Sequence, residues 1–206
     1  MTIALAELGI QNAIQSAFTL FRQNLATFVP DIFAAETPEH QQEITQWWQN
    51  TSNQVPVQIG YQLSPIQGPQ CAITVQNARE VASRRSVGNV QQVLAANGNI
   101  VFETIFEGTY AIYCFGPNQN WLLWMQTLVR WALLINRQTL ESEYGLMNQI
   151  ISLGPLQPVP DSMHDVVFPF ERTVYLTCQT ADTWSPLPPE LVQSVSLTVN
   201  SSTGGD

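Results

Sequence analysis

Lysine is absent from this chain of 206 residues, and charged residues of both signs are scarce. All seven basic residues are arginines, and they are outnumbered by 16 acidic residues, which gives a net charge of −9. A DNA-binding protein normally presents a basic stripe, but the only basic cluster here is Arg84-Arg85 with Arg79 nearby. The composition therefore argues against tight DNA binding, whereas an acidic surface is compatible with DNA passing without sticking.

Charged residues make up 11% of the chain, well below the ~25% of ordinary soluble domains, and Gln, Asn, Ser and Thr supply most of the polarity. Such a surface suits burial at protein interfaces, where charge is depleted. Biased genome composition gives the same pattern, and the sequence leaves both explanations open. The length fits one domain, and 45% hydrophobic residues are enough for a folded core.

Three cysteines, Cys71, Cys114 and Cys178, are scattered through strand-like apolar runs. No CxxC or Cys/His ligand spacing is present, so we predict buried, reduced thiols and no metal site. A catalytic pair of Cys71 with His40 or His164 would require a tertiary contact that the sequence does not reveal.

Candidate catalytic residues are few, because His40 and His164 are the only histidines. His164 has Asp161 and Asp165 beside it, which suggests a base with an orienting carboxylate, but such spacing is common by chance in loops. The sequence has no glycine-rich phosphate loop and no GxSxG motif. We predict that the protein is not an enzyme and uses no cofactor or metal.

Membrane insertion is not expected either. Residues 1–30 include Glu7 and lack a basic region followed by an apolar one, so no signal peptide is predicted. The apolar run Trp121–Ile135 contains Gln126 and Arg130 and is shorter than the ~20 residues of a membrane span. We interpret this run as a buried helix, with one face on a sheet and another available to a neighbouring subunit.

Helical spacing is clearest near the N-terminus. Large apolar side chains recur there at intervals of three and four residues: Ile14, Phe18, Phe21, Leu25 and Phe28. We expect this helix to end at Pro30-Asp31. A second helix is predicted over 39–50, with Pro38 in its first turn. The long apolar helix is predicted to begin at Pro117-Asn118.

Alternating apolar and polar residues predict strands over most of the rest of the chain. The predicted strands are 55–59, 71–75, 100–105, 109–115, 150–153, 166–179 and 191–200. Pro56 places the first of them at a sheet edge, and 109–115 is apolar on both faces and therefore central. Between strands, 80–98 is expected to form an exposed loop or protruding hairpin with an Asn97-Gly98 turn, and 154–160 an irregular loop.

These elements predict an α+β fold: a mostly antiparallel β-sheet with a long helix packed across it and additional N-terminal helices. We expect a single domain over 1–200, in which 1–50 is the N-terminal helical part and 55–200 the sheet-plus-helix core. Residues 201–206 are expected to form a flexible tail.

Several segments of the chain, in this order and spacing, resemble small neck proteins of tailed bacteriophages, of the tail terminator or tail-completion type. The resemblance covers residues 50–185 approximately and consists of spacing and residue character, without a diagnostic motif. Its segments are Tyr61–Pro69, Gly108–Ile112, Leu128–Leu134, Glu141–Leu146 and Phe170–Cys178.

The resemblance implies a structural virion protein, assembled in the host cytoplasm, that forms a homohexameric ring in the head–tail neck. Such a ring caps the tail tube protein, joins it to the head connector or stopper protein, and lets DNA pass through its lumen without tight binding. The family has no catalytic residues to transfer to this chain. The resemblance implies partners of three kinds: copies of the chain itself, the tail tube protein, and the head connector or stopper protein.

Two hypotheses concern particular residues. Arg84 and Arg85 belong to the polar 80–97 segment, which we expect to project and dock a partner ring. Glu103 and Glu107 are expected to face the lumen as solvated carboxylates. The alternatives are another structural virion component, such as a connector, stopper or tail-tube relative, or a protein of another class, a small-ligand binding module or a thiol hydrolase.

Overall fold

A computed structural model of the chain describes residues 3–60, 71–82, 91–94, 100–116, 118–158 and 170–184. The predicted strand 191–200 and tail 201–206 lie outside these residues, as do Arg84, Arg85 and His164.

Five helices occur in the described part: α1 (Ile3–Gln23), α2 (Leu25–Ile32), α3 (Pro38–Gln49), α4 (Gln119–Ile135) and α5 (Arg137–Ser142). Thr37 caps α3 by accepting a hydrogen bond from the backbone N–H of His40, and Pro38 occupies the first turn. Asn118 caps α4 in the same way, accepting from the backbone N–H of Trp121. The second and the long predicted helices are confirmed.

The prediction that the first helix runs to Pro30 was wrong. The helix ends at Gln23, because Asn24 leaves helical geometry with φ −130° and ψ 38°, and α2 then begins at Leu25. Pro30 lies inside α2, where its missing N–H removes one hydrogen bond from a helix of two turns. The backbone N–H of Phe33 still bonds the Val29 carbonyl and closes the helix.

Six strands are described: β1 (Val57–Ile59), β2 (Ala72–Ala82), β3 (Gln91–Leu94), β4 (Ile100–Gly116), β5 (Met147–Pro158) and β6 (Phe170–Trp184). They form one sheet in the order β1-β2-β4-β6-β5, with β3 paired to β4 off this path. The end position of β1 and the central position of β4 agree with the predictions from Pro56 and from the apolar run 109–115.

The sheet is mostly antiparallel, which confirms the α+β class. The pair β5/β6 is antiparallel and β1/β2 is parallel. Two side-chain contacts show the direction of β4 against β6: Thr109 Oγ1 lies 3.3 Å from Thr177 Oγ1, and Gln179 Nε2 donates to Glu107 Oε1 at 3.3 Å. Because residue numbers fall along β4 as they rise along β6, these strands are also antiparallel.

Two strand predictions need correction. The predicted strands 100–105 and 109–115 are one continuous strand, because Gly108 remains extended and leaves room for the ring of Tyr110, which a Cβ would meet at 3.1 Å. The predicted loop 154–160 is strand up to Pro158. A register shift between Leu153 and Leu156 accommodates Pro155, and a strand at the sheet edge tolerates proline.

Contacts divide the chain into two compact units, one of residues 1–81 and 107–180, the other of 82–106 and 181–206. Within the second unit, β3 pairs antiparallel with the start of β4, so the predicted hairpin pairing is present. Leu94 lies opposite Ile100. The predicted Asn97-Gly98 turn lies outside the described residues.

The core of the first unit lies between one face of the sheet and the helices. Aromatic rings fill much of it: Phe21 makes edge contacts with Phe33, Trp48 and Trp131, at centroid distances of 6.4, 5.3 and 6.0 Å. Trp47 lies 4.9 Å from Trp121, which joins α3 to α4. The long helix is thus buried on the sheet side and against α3, as its apolar character predicted.

Candidate functional surfaces

The structure gives different amounts of detail for the four site residues proposed from the sequence. Arg84 and Arg85 lie outside the described residues, and Glu103 is described only as a position in β4. Glu107 is half-buried, and its carboxylate accepts a hydrogen bond from Gln179 on the neighbouring strand. Its partner Gln179 is in turn bonded by Asn148 Nδ2 at 2.7 Å. Glu107 therefore belongs to a cross-strand polar network and is not a free solvated carboxylate.

This network is part of what we call the polar sheet face. Side chains alternate along a strand, so the residues between the core positions of β4 and β6 point away from the core. The polar sheet face consists of Glu107, Thr109, Tyr113, Glu171, Tyr175, Thr177 and Gln179, together with Ala111, Phe115 and Thr173, which lie on the same face and are buried. Arg172 of β6 points to the other face of the sheet, where it donates a hydrogen bond to Gln126 of α4. Within the described parts of these two strands, the face carries two carboxylates and no cation.

Glu171 is the most buried carboxylate of this face, at 5% exposure. Burial raises its pKa above the ordinary range, and burial is also the main reason that the pKa of Tyr113 is raised, followed by the charges of Glu171 and Tyr175. Our sequence analysis missed Glu171 and both tyrosines. The period-two alternation of β6, with polar residues at 171, 173, 175, 177 and 179, was the signal that would have found them.

A second surface is the outward side of α4, which we call the α4 stripe. It consists of Leu123, Thr127, Arg130 and Leu134, which follow each other at steps of three and four residues. Leu123 is 40% and Leu134 50% exposed, although large aliphatic side chains usually lie inside proteins. Arg130 is exposed between them, and no described carboxylate forms an ion pair with it.

A third surface is the outward side of α3, which we call the α3 face. It consists of Glu39, Gln42, Glu43 and Gln46, all exposed, on the side of the helix opposite the buried Ile44 and Trp48. Hydrogen bonds from its own backbone amide and from the Thr37 side chain hold the pKa of Glu39 below its ordinary value. No described cation pairs with Glu39 or Glu43, so this face carries uncompensated negative charge.

The two ends of the sheet differ in exposure. At one end, the amides of Gln11 and Gln15 both donate to the carbonyl of Val57 in β1, at 2.7 and 3.4 Å, so α1 covers this edge. At the other end, β5 presents Ile150 at 65% and Leu153 at 48% exposure. The chain therefore offers apolar surface at β5 as well as at the α4 stripe.

Arg22 lines a cavity of about 510 Å³ beside α1. Its guanidinium lies 5.3 Å from the centre of the Trp48 ring and donates to the backbone carbonyl of Asn53. Both contacts tie α1 to the chain that leads into β1. We therefore interpret Arg22 as a structural residue.

All three cysteines are buried thiols outside any disulfide, as predicted. Burial raises the pKa of Cys71 to about 12, so its thiol is protonated at neutral pH, the opposite of what a nucleophile requires. Burial likewise raises the pKa of Cys114. The ring of His40 bonds Glu36 at 2.9 Å and lies 5.7 Å from the Trp124 ring, at the contact between α3 and α4.

The described residues include no cluster of three or more His, Cys, Asp or Glu side chains arranged to hold a metal ion. Among the described helices, none combines the length and the apolar character that crossing a membrane requires. No protein-family model matches the chain, and no curated protein matches its sequence.

Proposed function

We propose that this protein is a structural subunit of the head–tail neck of a tailed bacteriophage, a tail terminator that assembles into a ring. The observation that carries the proposal is that one unit exposes two different surfaces, the α4 stripe with Leu123 and Leu134 and the acidic α3 face with Glu39 and Glu43. A closed ring with head-to-tail contacts needs two different contact surfaces on every subunit.

The polar sheet face supports the part of the proposal that concerns DNA. Glu107 supplies its accessible carboxylate, since Glu171 is only 5% exposed, and the other half-buried groups of this face are hydroxyls and one amide. A lumen lined in this way repels the phosphate backbone and offers it no arginine, so DNA passes without being held. In this arrangement Glu107 faces the lumen, and Glu103, on the same strand, is proposed to do so as well.

The sequence resemblance supplies the partners of the proposed ring, which are the tail tube on one side and the connector or stopper on the other. The segment with Arg84 and Arg85 is proposed to dock one of them. Deleting residues 83–90 and measuring particle assembly tests that role: particles that assemble at the normal yield would contradict it.

Light scattering after size exclusion, over a concentration series and with negative-stain images of the same fractions, tests the ring. We expect ring-shaped particles with a mass of about six times the 23.0 kDa of one chain. A monomer at every concentration would contradict a ring that forms before docking. Copy number per particle separates a terminator, present once per ring position, from a tail-tube relative, which is present in many more copies.

A further inference from the structure

We propose that neighbouring copies of this chain meet by placing the α4 stripe of one copy on the α3 face of the next. This inference rests on the proposed function, since it names the contact between adjacent subunits of the ring. It also makes a claim of its own, that specific charges on α3 and α4 are paired between copies.

Charge is the first argument. Arg130 lies exposed at the centre of the α4 stripe, and Glu39 and Glu43 lie exposed on the α3 face. None of these three side chains has an ion-pair partner among the described residues of its own chain. Because the chain has only seven arginines against 16 acidic residues, we match Arg130 of one copy with Glu39 and Glu43 of a second copy. Such complementarity selects the partner and fixes the register of a contact.

The packing of α3 on α4 prevents these charges from meeting inside one copy. The two helices touch through Trp47 and Trp121, at 4.9 Å between ring centres, and through His40 and Trp124, at 5.7 Å. On α4, Arg130 is nine residues, or about two and a half helical turns, from Trp121, so it points away from the α3 of its own chain. A second copy of the chain can bring its α3 face to Arg130.

Apolar surface is the second argument. Leu123 and Leu134 flank Arg130 on the α4 stripe and are 40% and 50% exposed. Beside the α3 face, the connection from α2 exposes Ala34 and Ala35, whose small side chains let a neighbouring helix approach closely. The leucines on either side of Arg130 thus supply apolar burial, and the charges supply specificity.

Charge reversal tests the contact in the full-length chain. The two variants are Arg130→Glu and the pair Glu39→Lys with Glu43→Lys, and the control is Arg79→Glu, an exposed arginine on β2. We expect each of the first two variants to need at least about tenfold more protein than wild type for half-assembly, because like charges then face each other. Arg79→Glu is expected to assemble as wild type does.

Rescue distinguishes a direct contact from general damage. An equimolar mixture of the two defective variants, and a single chain that carries all three substitutions, both restore opposite charges at the contact. We expect both to assemble within about threefold of the wild-type concentration, with circular dichroism unchanged throughout because all three side chains are exposed. Defective single variants that neither the mixture nor the combined chain rescues would overturn the contact.

The remaining outcomes separate this inference from the proposed function. Wild-type rings together with unaffected Arg130→Glu rings would overturn the contact and leave the ring intact. A wild-type dimer whose formation follows the charge-reversal and rescue pattern would support the contact and contradict the ring. A wild-type chain that is monomeric at every concentration would overturn the contact.

Discussion

Gln126 is the polar residue of α4 whose replacement we expect to destabilise the fold most clearly. It is 2% exposed, and its Nε2 donates to the carbonyls of Gly154, at 2.9 Å, and Thr173, at 2.8 Å. The register of β5 against β6 shifts between Leu153 and Leu156, close to these two carbonyls. The side chain therefore satisfies backbone groups at an irregularity in the ladder.

Gln126→Met preserves the approximate volume and removes both donated hydrogen bonds. Leaving a buried carbonyl without a donor costs about 1–3 kcal/mol, so the loss of two amounts to about 2–6 kcal/mol. That is a large part of the 5–15 kcal/mol that typically stabilises a folded domain. With a urea dependence of about 2–3 kcal/mol per molar, the unfolding midpoint is expected to fall by about 0.7–3 M.

Urea unfolding followed by tryptophan fluorescence measures this shift. Gln42→Met is the matched control, since Gln42 is an exposed glutamine on α3 and its replacement is expected to change stability by less than about 0.5 kcal/mol. Gln126→Glu adds a second check, because a carboxylate facing two carbonyls is worse at neutral pH than a methionine and improves when it is protonated. A Gln126→Met midpoint equal to that of wild type would refute the reasoning.

Three further predictions concern single sites. Gly9→Ala places a Cβ 2.5 Å from the Tyr144 ring, so we expect a loss of about 1–3 kcal/mol in thermal or urea unfolding, and a smaller loss when Tyr144 is also replaced by alanine. Cys71 is expected to react with a thiol reagent only after unfolding, and fast labelling of the native protein would contradict its burial. Glu171 has a raised pKa when folded, so the folded state binds more protons than the unfolded state, and wild-type stability falls as pH rises through that range. Glu171→Gln is therefore expected to gain stability relative to wild type from pH 4 to pH 8 in urea titrations, and an unchanged difference would contradict the shift.

Periodicity in the sequence predicted the elements that bury one continuous face. The cap at Asn118 and the apolar run after it located α4, and the alternation at 71–75 located β2. The division of β4 into two predicted strands was an error with a local cause. Gly108 marks no break in β4 because the ring of Tyr110 occupies the space that a side chain would need.

Prediction of the surfaces was less complete, for a physical reason. The sequence suggested that α4 has an outward side but gave no means of choosing which residues form it. That choice depends on α3 and the sheet, which bury the other sides through Trp121, Trp124 and Met125. Likewise nothing in the sequence around Glu107 indicates a hydrogen-bond network. The network depends on the pairing of β4 with β6, which places Gln179 beside Glu107.

The unequal ends of the sheet have a consequence for misassembly. An exposed strand edge is a template for pairing with another chain, and a chain with two such edges adds copies without limit. Here the carbonyl of Val57 at the β1 end is already occupied by Gln11 and Gln15, while β5 lies at the opposite end of the strand order. Wrong pairing at the β1 edge is therefore disfavoured by the contacts of α1, and of the two ends of this strand order β5 is the one where we expect misassembled pairs to form.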